Sequence, residues 1–110
     1  MENRRNEPVE GEEITRVRLP HGREVFGIVQ QRLGGSRMKI LCLDGKTRVC
    51  RIPGRLKRSL WVRENDVVVV EPWELSGEEK GDIVFKYTKN QVEFLRKKGH
   101  LKKLEEVNEF

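Results

Sequence analysis

The dipeptide Asp44-Gly45, set between two runs of alternating apolar residues, constrains this chain more than any other feature. Asp-Gly is a strong two-residue hairpin signal, because glycine accepts the positive φ that a tight turn demands. The run 37–43 before it reads as a strand, and 47–52 reads as the returning strand, ended by Pro53-Gly54. With Asp44-Gly45 as the whole turn, Leu41 faces Arg48, Lys39 faces Cys50 and Arg37 faces Ile52. Side chains alternate faces along a strand, so Arg37, Lys39 and Arg48 are expected on one face. Met38, Ile40, Cys42, Thr47, Val49 and Arg51 are expected on the other. That second face is mostly apolar and is expected to meet the core. Arg51 fits it only at a barrel rim.

Further short strands surround this hairpin. Residues 24–33 form one, with Gly27 inside it as a candidate bulge or sharp bend. Residues 66–72 form another. Its four consecutive valines, Val67 to Val70, suit a strand buried on both faces, and β-branching favours it. Residues 81–87 make the fifth. A helix follows. Thr88 and Gln91 match a capping box, Val92 and Leu95 share one face, cations fill the last turn, and Gly99 is placed to cap the end. Five short strands, a basic connection after the third and a helix after the fifth predict a mostly-β protein. Its expected form is a five-stranded OB-fold barrel with a C-terminal α-helix and flexible tails. A small SH3-like barrel is the competing architecture. The expected divisions are a disordered tail over 1–13, the barrel over 14–88, the helix over 89–99 packed on it, and a C-terminal tail over 100–110.

Charge narrows the function. The chain of 110 residues carries +5, but residues 1–13 sum to −3 and residues 100–110 to −1. The portion expected to fold therefore carries +9. A basic folded domain points to a polyanionic partner, because neutralising phosphates releases counterions. The sharpest local feature is the run from Lys46 to Arg63. It holds Lys46, Arg48, Arg51, Arg55, Lys57, Arg58 and Arg63 and not one acid. An ordinary solvated surface mixes both signs, so this run is expected to contact nucleic acid. Together with Arg37 and Lys39 it is expected to form one groove. Trp61 lies inside the run, either as a platform for a nucleobase or as a core anchor beside Leu60 and Val62. Trp73, after Pro72, reads as a structural cap on the barrel. Aromatic residues make up only 6% of the chain, which favours recognition of backbone and shape over base-by-base reading.

Other chemistries lack their residues. Cys42 and Cys50 are too few for a zinc site, and His21 and His100 have no ligand spacing. In the register above the cysteines face opposite ways, so they are expected as two small buried hydrophobes without a disulfide. No nucleophile elbow, P-loop, dinucleotide fingerprint or zinc-protease motif is present. The chain is therefore expected to be no enzyme and to need no cofactor or metal. It has no apolar run near the length of a membrane span and no signal peptide. A soluble, cytoplasmic, monomeric protein is expected.

Four stretches carry a family resemblance: Cys42-Leu-Asp-Gly-Lys46, Ile52-Pro-Gly-Arg-Leu-Lys-Arg-Ser-Leu-Trp-Val62, Asp66-Val-Val-Val-Val70 and Gly81-Asp-Ile-Val-Phe-Lys-Tyr-Thr88. With the helix bearing Glu93 and Leu95 and the following Gly99, they resemble translation initiation factor 1A of the archaeal type, across roughly residues 14–101 in unbroken order. The resemblance implies an OB barrel with a helix packed on it. It also implies binding to small-subunit ribosomal RNA in the aminoacyl-tRNA site, where other initiation factors, messenger RNA and initiator tRNA assemble. It places RNA contacts at Arg48, Arg55, Lys57, Arg58 and Trp61, with Lys46, Arg51 and Arg63 as neighbours. A general single-stranded nucleic-acid binder of OB type is the alternative. A protein adaptor meeting an acidic partner is a third reading.

Overall fold

The computed structural model describes residues 17–102. The expected tail over 1–13 and the residues beyond 102 lie outside that range. Five strands and one helix follow in order: β1 (Val25–Gly34), β2 (Arg37–Cys42), β3 (Thr47–Arg51), β4 (Val67–Pro72), β5 (Lys80–Lys86) and α1 (Lys89–Lys97). The strands close into a barrel in the order β1-β2-β3-β5-β4, with β4 returning to β1. β3 and β5 pair in parallel and the other neighbours are antiparallel. This is the expected OB barrel, closed through all five strands.

Alternation explains two apolar clusters on either side of one wall. Inside the barrel lie Val29, Met38, Ile40, Cys42, Cys50, Ile52, Val62, Val68, Val70 and Ile83. Outside it, beneath α1, lie Phe26, Ile28, Leu41, Val67, Val69, Tyr87, Leu95 and Leu101. The valine run is thus buried on both faces: Val68 and Val70 point inward, Val67 and Val69 toward the helix. Gly27 serves packing rather than a bulge. It pairs regularly with Cys42 and Val68, and a Cβ there would stand 2.5 Å from Ile40 Cγ2. The register shifts in β1 fall instead between Val29 and Gln31 and between Arg32 and Gly34.

α1 has both expected ends. The Thr88 side chain accepts from the Gln91 amide, and the Gln91 side chain accepts from the Thr88 amide. At the other end Gly99 takes φ +82°. The Gly99 amide donates to the Arg96 carbonyl and the His100 amide to the Leu95 carbonyl, both at 3.0 Å. That pair of bonds is a Schellman closure. It turns the chain back so that Leu101, 1% exposed, packs beside Leu95. The packed unit therefore runs past residue 99. Truncating Leu95 to alanine is expected to cost about 2–5 kcal/mol, read as a lower urea midpoint with little change in slope.

The hairpin register corrects the sequence expectation. Arg37 pairs with Arg51, Met38 with Cys50, Lys39 with Val49, Ile40 with Arg48 and Leu41 with Thr47. The loop is one residue longer than expected. The Gly45 amide donates to the Cys42 carbonyl at 2.9 Å, and the Cys42 amide to the Lys46 carbonyl at 2.9 Å. Gly45 sits at φ +88°. Leu43 and Asp44 thus make the turn, and Gly45 is the left-handed residue of a three-residue hairpin loop. A one-residue change of register flips a whole strand. Thr47, Val49 and Arg51 face solvent, while Arg48, Cys50 and Ile52 face inward. Arg51 leaves the core face it never suited. Cys42 and Cys50 join the same inner cluster rather than opposite faces, and both are free thiols. Burial, with Cys42 nearby, pushes the Cys50 thiol up to about 12.

Candidate nucleic-acid interface

α1 covers the outer side of β1 and β4 and the Leu41 end of β2, and the rest of the outer side of β2 and β3 stays bare. On that bare wall Arg37, Lys39, Val49 and Arg51 are all exposed. Arg37 and Arg51 are directly opposite, a destabilising like-charge pair across strands. Asp82 relieves it, accepting from Arg51 Nε at 3.1 Å. Asp82 also accepts from Trp73 Nε1 at 2.9 Å, and the Arg51 guanidinium lies 5.1 Å from the Trp73 ring centroid. Trp73 is half-buried and is held by Asp82, Arg51 and Lys80 rather than within either apolar cluster.

The connection from β3 to β4 alternates anchors and charges. Its first turn, Gly54–Leu56, is 3-10 helical. Leu56 and Leu60 pack against the inner cluster and Val62 belongs to it. Between these anchors Arg55, Lys57, Arg58, Trp61 and Arg63 are exposed. The far end is tied to the barrel. Lys86 Nζ donates to the Trp61 carbonyl at 2.6 Å, and Asp66 accepts from the Arg63 amide at 2.7 Å. Trp61 is 72% exposed, so it is not a core anchor; its neighbours are. A cleft lined by Arg32, Arg37, Lys57, Leu60, Trp61 and Glu64 runs from the connection to the β1–β2 turn, with Met38 and Ile52 also lining it.

The structure brings Arg37, Lys57 and Trp61 into one cleft, with Arg51 opposite Arg37 and Lys39 two residues along the same wall, while Arg55, Arg58 and Arg63 are exposed on the connection. Lys46 and Arg48 stand apart, toward the hairpin tip, about 17 and 10 Å respectively along the strands from Arg37. Lys46 Nζ is 3.6 Å from the Glu78 carboxylate. Arg48 is only 3% exposed. Its guanidinium donates twice to Asp44, at 3.1 and 2.9 Å, and its Nε to the Gly77 carbonyl at 2.5 Å. It pins the hairpin tip to the β4–β5 loop and presents no donor outward, so it leaves the contact set. Burial alone raises the Asp44 carboxyl. The bonds from Arg48 and the Lys46 amide outweigh it and hold the group below the usual aspartate value.

Two cations near this wall escaped the sequence reading. Arg32 lines the cleft beside Trp61. Lys80 pairs with Val49 through the parallel β3–β5 ladder, with its Nζ 5.7 Å from the Trp73 ring. Among the described residues, no group of three or more His, Cys, Asp or Glu could hold a metal ion. No helix among them is long and apolar enough to cross a membrane.

A family described as translation initiation factor 1A / IF-1 matches residues 9–109. This chain belongs to it. Its role is accordingly in translation initiation, and the family is one of initiation factors rather than enzymes. Translation initiation factor 1A of Methanococcus aeolicus is 52% identical over 97 residues, covering 86% of this chain and 92% of that protein. The Pyrococcus abyssi factor is 50% identical, over 84% of this chain and 82% of its own length. The Methanopyrus kandleri factor is 44% identical, over 90% and 93%. These relatives are archaeal, as the resemblance implied. Among solved structures the likeness is looser. The solution structure of a bacterial-type translation initiation factor from a Wolbachia endosymbiont of Brugia malayi has a TM-score of 0.48 at 23% identity, over 60% of this chain and 78% of that one. That score adds nothing to the barrel assignment.

Proposed function

We propose that this factor binds small-subunit ribosomal RNA at the aminoacyl-tRNA site and promotes assembly of the initiation complex with messenger RNA and initiator tRNA. The observation that carries this reading is the bare wall. Bases and one exposed tryptophan face outward from β2, β3 and residues 55–63, while the apolar residues between them anchor the chain. Arg37, Lys39, Arg51, Arg55, Lys57, Arg58 and Arg63 supply phosphate contacts and long-range field. Trp61, with an open ring beside a cleft, supplies a stacking platform. Other initiation factors and the initiator tRNA are met indirectly, on the ribosome in the cytoplasm. Closure through all five strands leaves little edge for self-pairing, which supports a monomer.

Competition tests this reading. Labelled protein bound to purified small subunits is expected to be displaced by a ligand of the aminoacyl-tRNA site, and only weakly by unrelated oligonucleotides. Equal displacement by any single strand would assign the general OB binder instead. Trp61→Ala is expected to weaken subunit binding by about 5- to 150-fold, the worth of one stacked base. Trp61→Phe, which keeps a ring, is expected to restore most of it.

A further inference from the structure

The C-terminal end of α1 has no part in that function, yet its charge is as unmixed as that of the 46–63 run. From Phe94 to Leu104 the chain holds Arg96, Lys97, Lys98, Lys102 and Lys103 and no acid. Helix capping accounts for little of this. The helix dipole places only about half a negative charge at that end, and the Schellman bonds already satisfy the terminal carbonyls of Leu95 and Arg96.

Elsewhere the structure pairs many of its cations: Arg18 with Glu24, Arg48 with Asp44, Arg51 with Asp82, Lys86 with Asp66. At the helix end Arg96 pairs with Glu93 at 3.0 Å. Lys97, Lys98 and Lys102 are exposed and have no carboxylate partner among the described residues. Phe94, Lys97 and Lys98 share one helix face by their spacing. Lys98 Nζ sits 5.7 Å from the half-buried Phe94 ring. The segment is also held firmly, because Leu95 and Leu101 are 0% and 1% exposed against the outer wall of β1 and β4. Three cations with no carboxylate partner among the described residues are thus held on the helix-covered side of the barrel, away from the bare wall.

We propose that Lys97, Lys98 and Lys102 form a second phosphate-contacting surface, which takes the backbone of an RNA segment separate from the one on β2, β3 and residues 55–63. The proposal rests on the RNA-binding function above and gives the protein two RNA-facing sides. Lysine suits this task, since an ammonium meets phosphate as a point charge without needing a fixed plane. Two contacts on one rigid body raise binding far beyond either alone when both are reached together.

The test compares full-length wild type with a Lys97→Gln, Lys98→Gln, Lys102→Gln variant, shown folded by circular dichroism. Binding to purified small subunits is measured over a salt titration and followed by hydroxyl-radical footprinting of the RNA. The salt slope is expected to fall by about 2, from ~0.7 per lost phosphate contact. One set of RNA protections is expected to vanish, while those lost in an Arg55→Ala, Lys57→Ala, Arg58→Ala variant remain. An unchanged slope and footprint would overturn the proposal and leave the RNA-binding function intact. A reduced slope with every RNA protection retained would also overturn it, since the lysines then meet an acidic protein. Failure of the wild type itself to bind in a salt-dependent way would overturn both readings.

Discussion

At about 0.1 M salt the Arg55→Ala, Lys57→Ala, Arg58→Ala variant is expected to bind small ribosomal subunits about a hundredfold more weakly than wild type, with a salt slope shallower by about 2. Three exposed cations on one connection each neutralise one phosphate in this reading. At ~0.7 per contact, three losses account for both numbers when binding is referred to 1 M salt. Folding is expected to survive. The three side chains are exposed, and none appears in an ion pair within the described residues. The connection is held by Leu56, Leu60 and Val62 and by the bonds at Trp61 and Arg63, none of which the substitutions touch. Alanine is also acceptable in a single 3-10 turn. Circular dichroism and the thermal midpoint should therefore match wild type while binding falls. A folded variant that binds as tightly as wild type would make the connection a plain solvated surface. The contact would then have to lie elsewhere on the barrel.

Much of this is legible in the sequence because the local signals agree with one another. Four adjacent valines admit one economical explanation, a strand between two apolar layers, and the layers are there. The Thr88–Gln91 box and Gly99 marked the helix ends because each does a specific backbone task. The hairpin shows where such reading fails. Asp-Gly suits a two-residue turn and equally the last two positions of a three-residue loop, and the two choices differ by a flip of every side chain in β3. Arg51 on the core face was the visible misfit of the first choice. The second choice sends Arg48 inward instead, which looks no better from sequence. What decides it is tertiary: Asp44 across the loop and the Gly77 carbonyl from β4–β5, 29 residues away. Trp61 was undecidable for a related reason. Leu60, Trp61 and Val62 alternate between barrel and solvent, and nothing in the local order says which of the three faces out. Lys80 was missed because its place beside Val49 depends on a parallel pairing between strands far apart in the chain.

Arg48→Met is expected to lower stability by about 2–4 kcal/mol, since removing one member of a buried, hydrogen-bonded pair leaves the remaining groups uncompensated. For a chain of this size that is a fall in thermal midpoint of roughly 10–20 °C. Methionine fills most of the vacated volume, so the loss reads the bonds more than a cavity. Asp44→Asn is expected to cost less. Its carboxyl lies near the surface, with 32% side-chain exposure, and an amide oxygen can still accept from the Lys46 amide and from Arg48. The double variant is expected to be more stable than the sum of the two losses, because each single change removes the same contact. The pH dependence has a defined direction. The Asp44 carboxyl is held below its usual value in the folded chain, so the pair contributes fully above the unfolded pKa of about 3.9. That contribution is lost as pH falls through the lower folded value. Wild type and Arg48→Met should therefore differ most near pH 7 and converge as the solution is made strongly acidic. A gap that stays constant down to acid pH would show that Arg48 stabilises the barrel through the Gly77 carbonyl and packing alone, with Asp44 a bystander. Binding to small subunits at neutral pH should weaken only slightly in the folded Arg48→Met protein, because the inward guanidinium has no exposed donor to lose. A large loss at full folding would return Arg48 to the RNA-contacting set and require the hairpin tip to open when RNA binds.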